Sequence, residues 1–308
     1  MLKFILIILD GFGLRDEKEG NAVAQAHTPN LDRMLSECPV SNIETSGQFV
    51  GLPDGVMGNS EVGHMNLGAG RIVKQDLVRI NDAISSDKLR NNTNLLAIFQ
   101  HVKNNSSTRH VMGLLSDGGV HSQLDHLKYI LHAARDSNVD NIALHAITDG
   151  RDTSTTSSID FVRQLESYIQ DDENFHIKTI CGRYYAMDRD SRWERIEKAY
   201  RMFIFGEGEN HPDSISAIQA SYDKEITDEF ILPVVIGDPM PIQNGDAVLT
   251  MNFRADRMRQ IVTAINDPDF PHFKTKKLDL LFACMTQYQE SFPYPVLFES
   301  EKINNIFP

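Results

Sequence analysis

Runs of apolar and β-branched residues recur along the chain at positions 4–9, 110–115, 142–148, 176–180, 247–253 and 278–285. This recurrence constrains the fold more than any other feature, because such runs suit strands buried on both faces. Between many of them the apolar residues fall on one helical stripe. In residues 123–135 the stripe is Leu124, Leu127, Ile130, Leu131 and Ala134, and residues 193–203 and 257–265 are similar. Thr28-Pro29 reads as an N-cap and first-turn pair for a helix through Glu37. Strands alternating with helices predict α/β layers around a largely parallel sheet.

A length of 308 residues with 41% hydrophobic content permits two cores. Gly68-Ala69-Gly70 gives way to a polar, helical stretch over 75–88, so a domain boundary is expected at about residues 68–80. Residues 104–107 and 171–174 read as surface turns. The run at 4–9 is too short for a signal peptide and ends at Asp10, and no segment reaches the ~20 apolar residues of a membrane span. Cys38, Cys181 and Cys284 form no paired motif, which points to a reducing cytoplasm. A formal charge of -13 argues against nucleic acid. An anionic ligand therefore requires a local arginine cluster.

In open α/β sheets ligands sit beyond the carboxyl ends of the strands. Asp10 follows the first run, where a carboxylate beside Gly11 suits a hard divalent cation; taken alone it is more simply a turn residue. Ser60, in Gly58-Asn59-Ser60-Glu61-Val62-Gly63-His64, suits a nucleophile at a helix start, or more simply an N-cap. Two further motifs end neighbouring strands and bring His121, Arg151 and Asp152 to one rim: Ser116-Asp117-Gly118-Gly119-Val120-His121 and Asp149-Gly150-Arg151-Asp152. Arg183 and Arg189, then Arg254 and Arg257, follow later runs. With Arg151 they make a cationic bowl for phosphate or carboxylate. Each arginine by itself is an ordinary solvated charge.

These motifs, in this order, resemble the 2,3-bisphosphoglycerate-independent phosphoglycerate mutases of the alkaline phosphatase superfamily. The resemblance rests on Ile8-Leu9-Asp10-Gly11 and on residues 58–70, 114–122, 149–152, 182–190 and 252–257. It implies an inserted α/β transferase domain, about residues 76–298, within an alkaline-phosphatase-like doubly wound domain. Residues 1–75 begin that outer domain and 299–308 return to it. The resemblance also implies interconversion of 3-phosphoglycerate and 2-phosphoglycerate through a phosphoserine at Ser60. Asp10 and Ser60 are implied as metal ligands, and Asp152 as acid/base on the glycerate hydroxyl. His121, Arg151, Asp152, Arg183, Arg189, Arg254 and Arg257 are the implied substrate contacts. The implied cofactor is a pair of Mn2+ ions, with Mg2+ the alternative, and no 2,3-bisphosphoglycerate.

The family's second half carries further metal ligands and a substrate lysine that are not matched here. Asp125-His126, the one Asp-His pair, sits on a helical stripe and reads as helix surface. We therefore expect a monomeric cytoplasmic chain, inactive by itself, that is either a fragment of such an enzyme or one piece of a split one with a separate C-terminal half as its partner. The competing readings are a binding module that turns nothing over, and a phosphopentomutase or metal-dependent phosphatase of the same superfamily.

Overall fold

A computed structural model describes residues 5–105, 107–301 and 303–307. The chain forms two compact units. One comprises the residues up to Val78 with those after Glu301, and the other is Arg79–Glu301.

The first unit carries α1 (Ala22–Gln25), α2 (Pro29–Glu37) and α3 (Ser60–Ala69). α2 follows Thr28 as expected, but the Thr28 hydroxyl donates to Asp32 Oδ1 at 2.9 Å instead of accepting a helix N–H. Among the described residues of this unit the buried apolar side chains begin at Val50. Gly51 adopts φ 78°, and a Cβ there would stand 1.9 Å from Val73 O. A Cβ on Gly58 would meet Thr45 O at the same distance. These two close approaches let the chain fold over Val50 and Val62, which are buried. The strand expected at residues 4–9 does not form. Phe4 lies outside the described residues, and Ile5 to Leu9 are irregular and 44–80% exposed. α1 and α2 likewise bury no residue. Apolar residues specify a need for cover, and here the described chain supplies none.

α4 (Asp76–Ser85) crosses from one unit's residues into the other's, and α5 (Thr93–Asn105) follows it. Asn104 and Asn105, expected in a turn, instead finish α5, and Ser106 lies outside the described residues. The second unit then runs β1 (Arg109–Leu115), α6 (Leu124–Asp136), β2 (Ile142–Thr148), α7 (Ser158–Ile169), β3 (Phe175–Gly182) and α8 (Arg183–Ala186). It continues with α9 (Trp193–Phe205), β4 (Glu209–His211), α10 (Ser214–Tyr222), β5 (Val234–Ile236), β6 (Ala247–Thr250), α11 (Arg259–Asn266), β7 (Leu281–Thr286) and β8 (Val296–Phe298). The sheet order is β4-β5-β3-β2-β1-β6-β7-β8, parallel except where β5 meets β3.

β2 is buried along its whole length, as a central parallel strand covered on both faces should be. α9 and α11 cover one face through Tyr200, Phe203, Ile261 and Val262. α5, α6 and α7 bring Phe99, Ile130 and Leu165 to the core. His126 of α6, expected at the surface, is 1% exposed and hydrogen-bonded to Asn81 Oδ1 at 2.8 Å; burial pushes its pKa down to about 4.

A polar line crosses the core through three strands, from Asp246 at the foot of β6. The Asp246 carboxylate can only accept, so His110 Nε2 donates to it at 3.1 Å. His110 Nδ1 then accepts from His145 Nε2, and His145 Nδ1 from Thr179 Oγ1, each at 2.8 Å. Every ring nitrogen of the pair thereby has a partner. Burial, followed by the neighbouring His110, holds the His145 pKa well below the usual histidine range.

Arg109 is the opposite case. It is fully buried over the Phe99 ring, 4.2 Å from its centroid, and none of its three guanidinium nitrogens has a hydrogen-bond partner among the described residues. Burial pushes its pKa down to about 9. The folded pKa lies below the ordinary one, so the unfolded chain binds more protons above about 9. The penalty is in full force at neutral pH and is relieved only as pH rises through that range. Arg109→Met should accordingly raise stability by about 1–3 kcal/mol in urea unfolding at pH 7, and no change or a loss would show that the ring contact outweighs desolvation.

Candidate active site

In the first unit, Ser60 and Asp10 come together across 50 residues of chain. Ser60 Oγ donates to Asp10 Oδ2 at 2.6 Å. Ser60 is the first residue of α3 and not its cap; that role falls to Asn59, whose side chain accepts from Val62 N. The hydroxyl thus sits at the positive end of a ten-residue helix. His64, one turn on, lies 3.3 Å from Ser60 Oγ, but its Nδ1 is 2.8 Å from Ser60 O. A carbonyl only accepts, so Nδ1 carries the proton and cannot act as base on the hydroxyl. Asp10 is left as the acceptor of that hydrogen. Among the described residues no group of three or more His, Cys, Asp or Glu side chains could hold a metal ion. Asp10 and the Ser60 hydroxyl by themselves do not fit a divalent-metal pair.

In the second unit, the loops after β1, β2, β3 and β6 converge. β1 lies between β2 and β6, so the chain order reverses there, and Phe253 N donates to His121 O at 2.8 Å across the switch. At the centre is Asp149, which sequence reasoning gave no role. It is fully buried, and its Oδ1 accepts from Arg183 Nη1 at 2.6 Å and from the N–H groups of Arg151 and Asp152 at 3.2 and 3.0 Å. Its Oδ2 accepts from Ser116 Oγ at 2.6 Å. Burial alone would raise its pKa, but the backbone of Asp152, Ser116 and Arg183 together hold it below the usual carboxylate range. The only signal in the sequence was its place directly after an apolar strand.

Arg183 Nη1 also meets Asp152 Oδ2 at 2.5 Å, and the side chain is 2% exposed. Part of its fork is therefore spent on structure. Arg151 is 55% exposed and reaches Glu229 at 3.4 Å. Glu229 belongs to a segment pressed onto the strand ends, where a Cβ on Gly182 would stand 2.2 Å from Glu229 O. Arg189 pairs with Asp256 at 2.7 Å, and Arg254 approaches the same carboxylate at 3.5 Å. Arg257 donates to Met187 O at 3.1 Å. Burial, then the charges of Arg183, Arg189 and Arg151, push its pKa below the arginine norm. His121 lies 3.9 Å from Asp152 and 3.7 Å from Asp256. The sequence-predicted residues of this unit therefore share one rim, while Asp10 and Ser60 form a second cluster in the other unit.

A chain from Myxococcus xanthus strain DK1622, named 2,3-bisphosphoglycerate-independent phosphoglycerate mutase, is 48% identical over 99% of this chain and 61% of its own length. One of the same name from Clostridium perfringens strain SM101 is 48% identical over 93% of this chain and 57% of its own. The chain thus spans about three fifths of the relatives it matches. A solved structure described as Leishmania mexicana phosphoglycerate mutase at low cobalt concentration aligns over 97% of this chain and 58% of its own, with TM-score 0.82 and 32% identity. The family model described as BPG-independent PGAM N-terminus matches residues 80–290, and this chain belongs to that family.

Proposed function

We propose that this chain provides the phosphoglycerate-binding domain and the phosphoryl-accepting serine of a cofactor-independent phosphoglycerate mutase, an isomerase acting on 3-phosphoglycerate and 2-phosphoglycerate. The observation that carries the reading is the convergence of Arg151, Arg183, Arg189, Arg254 and Arg257 around Asp152 and His121, in a protein of net charge -13. Residues 76–298 are the binding domain, and residues 1–75 with 299–308 belong to a phosphatase-like domain.

In this reading the arginines hold the phosphate and carboxylate of the substrate. Ser60 Oγ forms a bond to phosphorus as the bond from phosphorus to the glycerate ester oxygen breaks, and the serine proton passes to Asp10. Asp152 takes the proton of one glycerate hydroxyl and supplies one to the other, so its own protonation is unchanged over a turnover. The phosphoryl group then returns from Ser60 to the second hydroxyl. The pair of Mn2+ ions that the family resemblance implies needs ligands beyond those this chain's described residues assemble. A C-terminal partner segment supplies them in this reading. The setting is the cytoplasm, where glycolysis and gluconeogenesis run. No helix among the described residues is long and apolar enough to cross a membrane.

A binding-only role is favoured by one observation, the lack of a metal-ligand cluster among the described residues. Calorimetric titration of the chain with 3-phosphoglycerate tests the part common to both readings. Arg257 is the cleanest probe, because Arg183 is tied into buried ion pairs and its removal would disturb the fold. Arg257→Ala should weaken binding by about 1.5–3 kcal/mol, the scale of a hydrogen bond to a charged group. Equal affinity in parent and variant would mean that the bowl is misassigned.

A further inference from the structure

Asp256 stands in the loop after β6 between two of the proposed ligand-binding arginines, yet as a carboxylate it repels the anion that they would bind. Its Oδ2 accepts from Arg189 Nη1 at 2.7 Å. Its Oδ1 lies 3.5 Å from Arg254 Nε and 3.7 Å from His121 Nδ1. Oδ1 and Nδ1 are both buried, and neither has a hydrogen-bond partner. A buried ring nitrogen and a buried carboxylate oxygen thus face each other across a gap that a carboxylate movement of less than ~1 Å would close to hydrogen-bond range. Leaving both unmade is costly, so something must hold the carboxylate back. The two arginines do that.

We propose that Asp256 is the displaceable counter-anion of this site: it restrains Arg189 and Arg254 while the site is empty, and turns to His121 when an anionic ligand takes those two guanidinium groups. Asp256 is a positioning residue in this scheme, and phosphoglycerate as the physiological ligand rests on the function proposed above. The side chain of His121 is 4% exposed. Burial and the charge of Arg183 push its pKa down to about 4, against Asp256 and Asp152, with Arg254 opposing them. These are the charged groups facing it from the loops after β2, β3 and β6. An arriving anion offsets Arg183 and Arg254, and the turned Asp256 accepts from Nδ1. Both changes favour the imidazolium. Ligand binding is therefore coupled to proton uptake at His121.

The test uses the full 308-residue chain at pH 7, titrated separately with sulfate and with 3-phosphoglycerate. Calorimetry in two cationic buffers of different ionisation enthalpy reads the protons exchanged. Sulfate does not titrate near neutrality, whereas a phosphate ester with a second pKa near 6 does, so sulfate isolates the protein's own proton. Uptake of ~0.3–1 proton per sulfate is expected, the range for an imidazole whose pKa returns to or above its ordinary value. Asp256→Asn should abolish the uptake and tighten sulfate binding about 3- to 10-fold, because a like charge leaves the ligand's side. His121→Gln should abolish the uptake as well. Imidazole 15N shifts of His121 should show the doubly protonated ring only with the anion bound. Uptake that persists in Asp256→Asn overturns the proposal. So does a loss of sulfate affinity in that variant comparable to the loss in Arg189→Met, with both thermal midpoints at the parent's value. Sulfate uptake dependent on Asp256 without any 3-phosphoglycerate binding would leave the counter-anion in place and remove the mutase reading. Binding of neither anion would remove both.

Discussion

The isolated 308-residue chain should turn over no phosphoglycerate in an enolase-coupled assay, even with excess Mn2+; the expected deficit against a full-length relative is at least about 10⁴-fold. The reason lies in the acceptor. Ser60 Oγ is a neutral hydroxyl with one carboxylate, Asp10, on its hydrogen, and the neighbouring His64 is committed to the Ser60 carbonyl. Without further ligands nothing lowers the hydroxyl pKa toward neutrality, and a neutral hydroxyl is a poor nucleophile for a dianionic ester. The Myxococcus xanthus relative, 61% of whose length this chain spans, offers a candidate complement to test. Its remaining C-terminal portion, added in trans, should restore turnover that is absent when the Ser60→Ala chain is used instead. Turnover by the chain alone, lost on Ser60→Ala, would show that the described donors suffice.

Hydrogen exchange should divide the chain just as sharply. The amides of Ile5 to Leu9 are in no strand, and their side chains are 44–80% exposed, so they should exchange within about tenfold of an unstructured peptide. The amides of β2 lie between β1 and β3 in a fully buried strand and should be protected by the stability of the whole unit, about 5–15 kcal/mol for a domain of ordinary stability. That is a contrast of several orders of magnitude. Protection at Ile5 to Leu9 should rise on adding the C-terminal portion of a relative. Comparable protection at both places in the monomeric chain alone would mean that the first unit covers its apolar residues by itself.

The same two regions show what was legible in the sequence. β1, β2 and β3 could be read because each carries a mostly apolar, β-branched run of five or more residues that the chain itself buries. Residues 5–9 have the same character and form nothing regular, since periodicity records a requirement for cover and not its supplier. β4, β5 and β8 were missed. Each is three residues long, and β5 runs against its neighbour β3, so no run length or alternation distinguishes them from loop. In the site, the arginines were visible because they follow strands. Of the carboxylates that set their geometry, Asp152 was visible but Asp149 was not, because its importance arises only when donors from three loops meet on it. Arg109 gave no sign at all: an arginine opening a strand is ordinary until a phenylalanine from α5 covers it.

The sheet order has a consequence for synthesis. β1 finds β2 soon after leaving the ribosome, with partners such as Arg109 and Ile142, but its other edge pairs with β6, where Arg109 stands opposite Ala247. At about 5–20 residues per second, that edge waits on the order of 7–30 s for its partner to be translated. During the wait the nascent β1-β2-β3 sheet exposes an open row of amides and carbonyls, and His110 has no Asp246 to accept its hydrogen bond. Ribosome pausing between these segments should therefore govern how much of the chain is captured by chaperones.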